Sequence, residues 1–176
     1  MNFKFHKKIL CLLFFVIAIP FCAFSDSSSS IDSLEMENKT WSLSASNDIN
    51  IRFYLTSKPI ETITTHKNKR DPYVQIMCLK NNEYQIALNN DYTLYKPPVV
   101  SINGQDFLFA SNQANSLFSY AKPQDVSQIL KKFSNSFEIK VLSHSVSGTY
   151  SVDTYTLASF QKLFIQLQRM CGEEDF

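Results

Sequence analysis

From residue 41 onward the apolar positions mostly alternate with polar ones over short runs, and only twice do they take a helical spacing. Alternation marks a half-buried strand, whereas apolar residues at i, i+3 and i+4 mark one face of a helix. By that test residues 41–45 alternate weakly, 49–55 (INIRFYL) form a strand, and 56–72 make a long polar connection. Residues 73–80 (YVQIMCLK) and 83–89 (EYQIALN) are the arms of a hairpin turning at Asn81 and Asn82. A second hairpin spans 99–111 (VVSINGQDFLFAS), where Asn103 and Gly104 supply the positive φ angles of a two-residue type I′ turn. Residues 116–120 extend that hairpin or add a strand.

Residues 123–133 read as a helix. Pro123 suits its first turn, Asp125 favours its N-terminus, and Val126, Ile129, Leu130 and Phe133 share a face. Residues 137–145 and 149–155 are strands, with Phe137, Ile139 and Val141 on one side. The last helix covers 156–171, with Thr156 as N-cap and Leu157, Phe160, Phe164, Leu167 and Cys171 as its apolar stripe. That stripe must pack on a sheet. Many antiparallel strands and two helices predict a mainly-β protein: an antiparallel β-sandwich with one short helix and a C-terminal helix packed on it.

The first 25 residues follow a different rule. Residues 1–8 (MNFKFHKK) are basic and 9–24 (ILCLLFFVIAIPFCAF) are apolar. The apolar run is shorter than the roughly 20 residues that span a bilayer, and Ala23 and Ser25 fit small-x-small cleavage. Residues 1–25 are read as a secretory signal peptide cut after Ser25, the only membrane contact being before cleavage. Cys22 follows Phe21 rather than a small residue, so lipidation is not expected. Residues 26–40 are a flexible polar lead-in, and 41–176 form one domain.

Export changes the charge and redox picture. Losing Lys4, Lys7 and Lys8 turns the formal +1 of 17 basic and 16 acidic side chains into about −2. A nearly neutral surface argues against a nucleic-acid binder. Cys11 and Cys22 leave with the signal peptide, so Cys78 and Cys171 remain as a candidate disulfide.

The residues that carry chemistry do not assemble into a known pattern. His66 and His144 have no G-x-S-x-G elbow to serve, and neither has a triad partner at a telling spacing. There is no C-x-x-C, H-x-x-x-H or H-E-x-x-H metal signature. With glycines only at 104, 148 and 172, there is no phosphate loop. No cofactor and no catalytic residue are assigned, and a hydrolase is the least favoured reading. Glu173, Glu174 and Asp175 are a solvated acidic end. Tyr84, Tyr92, Tyr95, Tyr120 and Tyr150 are expected to pack with wet hydroxyls rather than to form a recognition face. The basic run His66, Lys67, Lys69 and Arg70 is the one candidate electrostatic contact loop.

Residues 145–164 (SVSGTYSVDTYTLASFQKLF) resemble the ending of the invasion-associated locus B family of exported alphaproteobacterial proteins. Ser147, Gly148 and Thr149 stand at that family's turn. Asp153, Thr154, Tyr155, Thr156 and Leu157 match its next block, Phe160 the helix start and Cys171 the terminal cysteine. Residues 54–59 (YLTSKP), 69–76 (KRDPYVQI) and 100–109 (VSINGQDFLF) look like family segments in the same order, so the resemblance covers about 41–171. It implies a β-sandwich and location in the periplasm, at the outer membrane or outside the cell. It also implies an association of some members with entry into host cells, and no established catalytic residue or cofactor.

The chain departs from the family at three places. Ser147 replaces an arginine, Ser159 replaces a glycine before the helix, and Phe53 stands where the family has a cysteine. The resemblance implies that the missing cysteine paired with the terminal one. If 49–55 and 73–80 pair antiparallel, Phe53 neighbours Cys78, which then substitutes for it. Gly148, Asp153, Tyr155 and Thr156 are read as a structural joint: a tight turn, a backbone hydrogen bond at the corner, and a capped entry into the last helix. The expected function is an exported, non-enzymatic binding protein engaging a protein, glycan or envelope component. A periplasmic structural or assembly factor without host contact is the alternative.

Overall fold

The computed structural model describes residues 40–66, 69–112 and 115–172. The expected signal peptide, all but the last residue of the lead-in, Lys67 and the acidic end lie outside the described residues. Two sheets face each other, and every pairing within them is antiparallel. The first holds β1 (Trp41–Ala45), β2 (Ile51–Ser57), β4 (Tyr73–Leu79), β5 (Tyr84–Asn89), β9 (Asn115–Tyr120) and β8 (Ala110–Asn112), in that spatial order. The second runs β3 (Glu61–Thr64), β11 (Tyr150–Thr156), β10 (Glu138–His144), β6 (Val99–Ile102) and β7 (Gln105–Leu108). The helices are α1 (Pro123–Phe133) and α2 (Phe160–Gly172).

The fold class is the one the alternation predicts, and so are the two hairpins. Asn103 and Gly104 have φ of 48° and 76°, as a type I′ turn requires. The chain then changes sheets: β7 ends at Leu108, Phe109 is buried, and β8 begins at Ala110 in the other layer. The predicted strand at 49–55 lies two residues later, at Ile51–Ser57. Inside the long polar connection, β3 forms as an edge strand. Its only large apolar residue is Ile63, so alternation gives no sign of it; pairing with β11 creates it.

One core joins both layers and both helices. Leu55, Val74, Ile76, Ile86 and Leu88 face it from the first sheet, and Val100, Ile102, Phe107, Ile139, Val141 and Tyr155 from the second. In α1, Val126, Ile129, Leu130 and Phe133 are buried, and in α2, Phe160, Phe164, Leu167 and Cys171. Trp41 is the anchor of this end. Its ring lies 5.1 Å from Phe160 and 6.4 Å from Phe133, and its indole N–H donates across the layers to the Thr156 carbonyl at 2.7 Å. Aromatic pairs at such tilted geometries add about 0.5–1.5 kcal/mol each beyond their burial.

Two local expectations are corrected. Phe137 does not share a buried face with Ile139 and Val141. It precedes β10 and is 92% exposed, because the chain is still in the turn that follows α1. Thr156 does not cap α2. It is the last residue of β11, paired with Glu138, and its hydroxyl accepts the Ala158 N–H at 3.2 Å. The helix begins four residues later, at Phe160, and the Ser159 carbonyl takes the Leu163 N–H. Ser159 has φ of 65°, a left-handed conformation that glycine adopts most easily. That is where the resembling family has its glycine.

A disulfide joins Cys78 in β4 to Cys171 in α2, closing a sequence separation of 93 residues with Cα atoms 6.0 Å apart. Phe53 lies directly opposite Cys78 in the β2–β4 register. The pairing that the resemblance implied is therefore present, with the strand cysteine one strand over.

Candidate functional site

Along β11 the inward positions are Ser151, Asp153 and Tyr155, and opposite them in β10 stand Ser143, Val141 and Ile139. The face is apolar where it meets the helices and becomes polar toward the other end of the sandwich. Asp153 is 1% exposed there. Its carboxylate accepts two hydrogen bonds from Arg70, Nη1 to Oδ1 at 3.2 Å and Nη2 to Oδ2 at 3.1 Å. Thr62 Oγ1 of β3 donates a third at 2.8 Å.

Arg70 is fixed from three sides. Besides the carboxylate, Nη2 donates to the Asn90 carbonyl at 2.8 Å, and the guanidinium lies 4.3 Å from the centre of the Tyr92 ring. A planar cation suits this combination of bidentate pairing and stacking, which lysine could not reproduce. The Tyr92 hydroxyl reaches Ser143 Oγ at 2.6 Å and Ser151 Oγ at 2.7 Å, and those two hydroxyls are 3.0 Å apart. Tyr155, fully buried beside this network, has its phenol pushed well above the usual tyrosine range. Burial is the main cause and the Asp153 charge adds to it, against the opposing pull of Arg70.

The sequence places Arg70 in an exposed basic loop, and the structure corrects this. Its side chain is 5% exposed because the loop folds inward to neutralise Asp153. Lys69 and His66 remain at the surface, and Lys67 is not among the described residues. His66 Nδ1 lies 3.2 Å from Thr65 Oγ1 and 3.3 Å from Thr149 Oγ1, so it borders the turn before β11. Asp153 is corrected too. It sits in mid-strand and holds side chains of other elements, not backbone at a corner.

Gly148 lies in that turn with φ of 84°. Its N–H donates to the Ser145 carbonyl at 3.1 Å, and Ser145 and Thr149 close the loop through backbone and hydroxyl bonds at 2.9 Å. Nothing in the sequence marks Ser143, Ser151 or Asn90, and Tyr92, expected to pack with a wet hydroxyl, bonds that hydroxyl to the two buried serines instead. A signal existed: Asp153 has the same strand parity as Tyr155, so it points inward and needs a cation.

Two grooves lie elsewhere. A groove of about 530 Å³ runs between α1 and α2, lined by Tyr84, Val126, Leu130 and Phe164. Another of about 630 Å³ lies between the end of α1 and the start of α2, beside Phe137 and Lys162. Neither contains the Arg70–Asp153 network. Among the described residues no three His, Cys, Asp or Glu side chains gather as metal ligands.

The layering, the helix-closed end and the polar opposite end together define the fold to be compared. The chain is similar in fold to the crystal structure of invasion associated protein B from Bartonella henselae. The match has a TM-score of 0.55, with 8% sequence identity, over 76% of this chain and 95% of that one. No family model matches the sequence. No curated protein matches it either. The likeness thus rests on the fold, in agreement with the segments that resemble the invasion-associated locus B family.

Proposed function

We propose that this chain is an exported, non-enzymatic binding protein that acts at the bacterial envelope or beyond it, on a host or envelope partner. The observation that carries the reading is the fold shared with an invasion-associated protein across nearly that protein's whole length. The disulfide between Cys78 and Cys171 supports export, since such bridges persist in oxidising compartments. The polar cluster fits a structural role, which leaves binding to the surface. Arg70, Asp153, Tyr92, Ser143 and Ser151 are engaged with one another, in a part of the sandwich that neither groove reaches. A nucleophile, by contrast, needs a base beside it and room for a substrate.

Fractionation of the producing bacterium tests this reading. The protein is expected in the medium, or on intact cells where added protease removes it. Confinement to the periplasm would favour the envelope-assembly alternative, and retention in the cytoplasm would contradict both.

A further inference from the structure

The outer face of the five-stranded sheet carries an apolar row that the sandwich itself does not use. Register places Ile63 of β3 beside Val152 of β11, Val152 beside Leu142 of β10, Leu142 beside Val99 of β6, and Val99 beside Leu108 of β7. One apolar side chain per strand thus crosses the sheet from edge to edge. The two ends are open to solvent, Ile63 at 59% and Leu108 at 55%. The outer face of the other sheet has no such continuous row: Ser42, Thr56, Gln75, Ala87 and Tyr120 cross it, and its larger apolar side chains stand in separate pairs, Tyr54 beside Met77 and Tyr73 against Phe118. A solvated sheet face is normally polar.

We propose that this face binds a second copy of the same chain, packed sheet against sheet about a two-fold axis lying along the apolar row. The flanking rows select the axis. On one side lie Glu61, Thr154, Lys140, Ser101 and Asp106. On the other lie Tyr150 and His144, ring against ring at 4.8 Å, with exposed Tyr95 bonded through its N–H to the His144 carbonyl. A two-fold parallel to the strands would set Lys140 on Lys140 and Glu61 on Asp106, pairing like charges. A two-fold along the row sets each apolar residue on its own copy and turns the charged row toward the aromatic one. The self-matching surface is isologous, as a two-fold contact requires.

The size sets the strength. Five strands, each about 4.8 Å wide, by three residue rows cover roughly 500 Å² per copy, about 1,000 Å² for a pair. That is the lower end for a specific contact, so the dimer is weak and concentration-dependent. Sedimentation velocity of the exported protein from ~10 µM to ~1 mM tests it. The mass is expected to rise toward two chains. Ile63→Lys combined with Leu108→Lys, both at exposed ends, should weaken association at least about tenfold without lowering the melting temperature. Thr56→Lys, on the outer face of the other sheet, should leave it unchanged. Leu142→Cys should cross-link the pair through the axis with a bismaleimide of about 10 Å span, the usual separation of packed sheets. A monomer at every concentration, or a dimer indifferent to the paired lysines, would overturn the proposal.

Discussion

At one end of the sandwich Trp41, Phe133, Phe160 and Phe164 meet ring to ring under the two helices; at the other, Arg70, Asp153, Tyr92, Ser143 and Ser151 hold each other by charge and hydroxyl. Both ends must keep water from the same core. The aromatic end does so with non-directional burial, which tolerates imperfect fit. The polar end uses directional bonds, which are modest when complete and costly when one partner is lost. The two ends should therefore fail differently under mutation.

The largest expected effect breaks the polar end. Asp153→Ala leaves Arg70 buried without its counter-charge and should cost about 3–5 kcal/mol in a denaturant titration. Trp41→Ala should cost about as much, since removing a buried tryptophan costs roughly 3–5 kcal/mol. The comparison sharpens in the double variant Arg70→Met with Asp153→Leu. It should recover most of the loss, because an apolar pair replaces a buried ion pair without stranding a charge. If the double variant is no better than Asp153→Ala, the cost belongs to shape and not to charge.

Next comes the tie between α2 and β4. Cys171→Ser opens the disulfide and should lower stability by about 2–4 kcal/mol, with the oxidised protein resisting more denaturant than the reduced one. Alkaline pH probes the boundary between the two ends through Tyr155. Its phenol titrates higher in the folded than in the unfolded chain, so stability is full below pH ~10 and is lost as pH rises past it toward the folded value. The slope should be about 1.4 kcal/mol per pH unit for this group and should vanish in Tyr155→Phe. Smallest in reach is Gly148→Val. No atom lies within 4 Å of the added Cβ, so the cost is the positive φ alone, about 1–2 kcal/mol, seen as a lower melting temperature. Loss of partner binding with an unchanged melting curve would instead make that turn a contact site.

The same contrast explains what could be read from the sequence. The aromatic end was legible because helices advertise their buried stripe by spacing, and Phe160, Phe164, Leu167 and Cys171 fall on one face whatever they pack against. The two strands were legible, but Phe53 beside Cys78 was expected only on the condition that they pair antiparallel, which the register of β2 and β4 meets. The polar end was not legible, since a charge reads as exposed until its partner is known. Arg70 and Asp153 are 83 residues apart in sequence, and only the inward fold of the loop and the β3 edge strand bring them together. Thr156 resembles a cap in sequence because hydroxyl residues both cap helices and end strands, and the left-handed Ser159 carries no spacing signal.

We propose that a sandwich closed by the Cys78–Cys171 disulfide is exported. Intact mass of the protein recovered after export, without and with reductant, tests it most directly. The account predicts a chain beginning at Asp26 that gains two hydrogens on reduction, with alkylation then falling on Cys78 and Cys171. A retained leader, a lipid adduct, or two free thiols before reduction would contradict it.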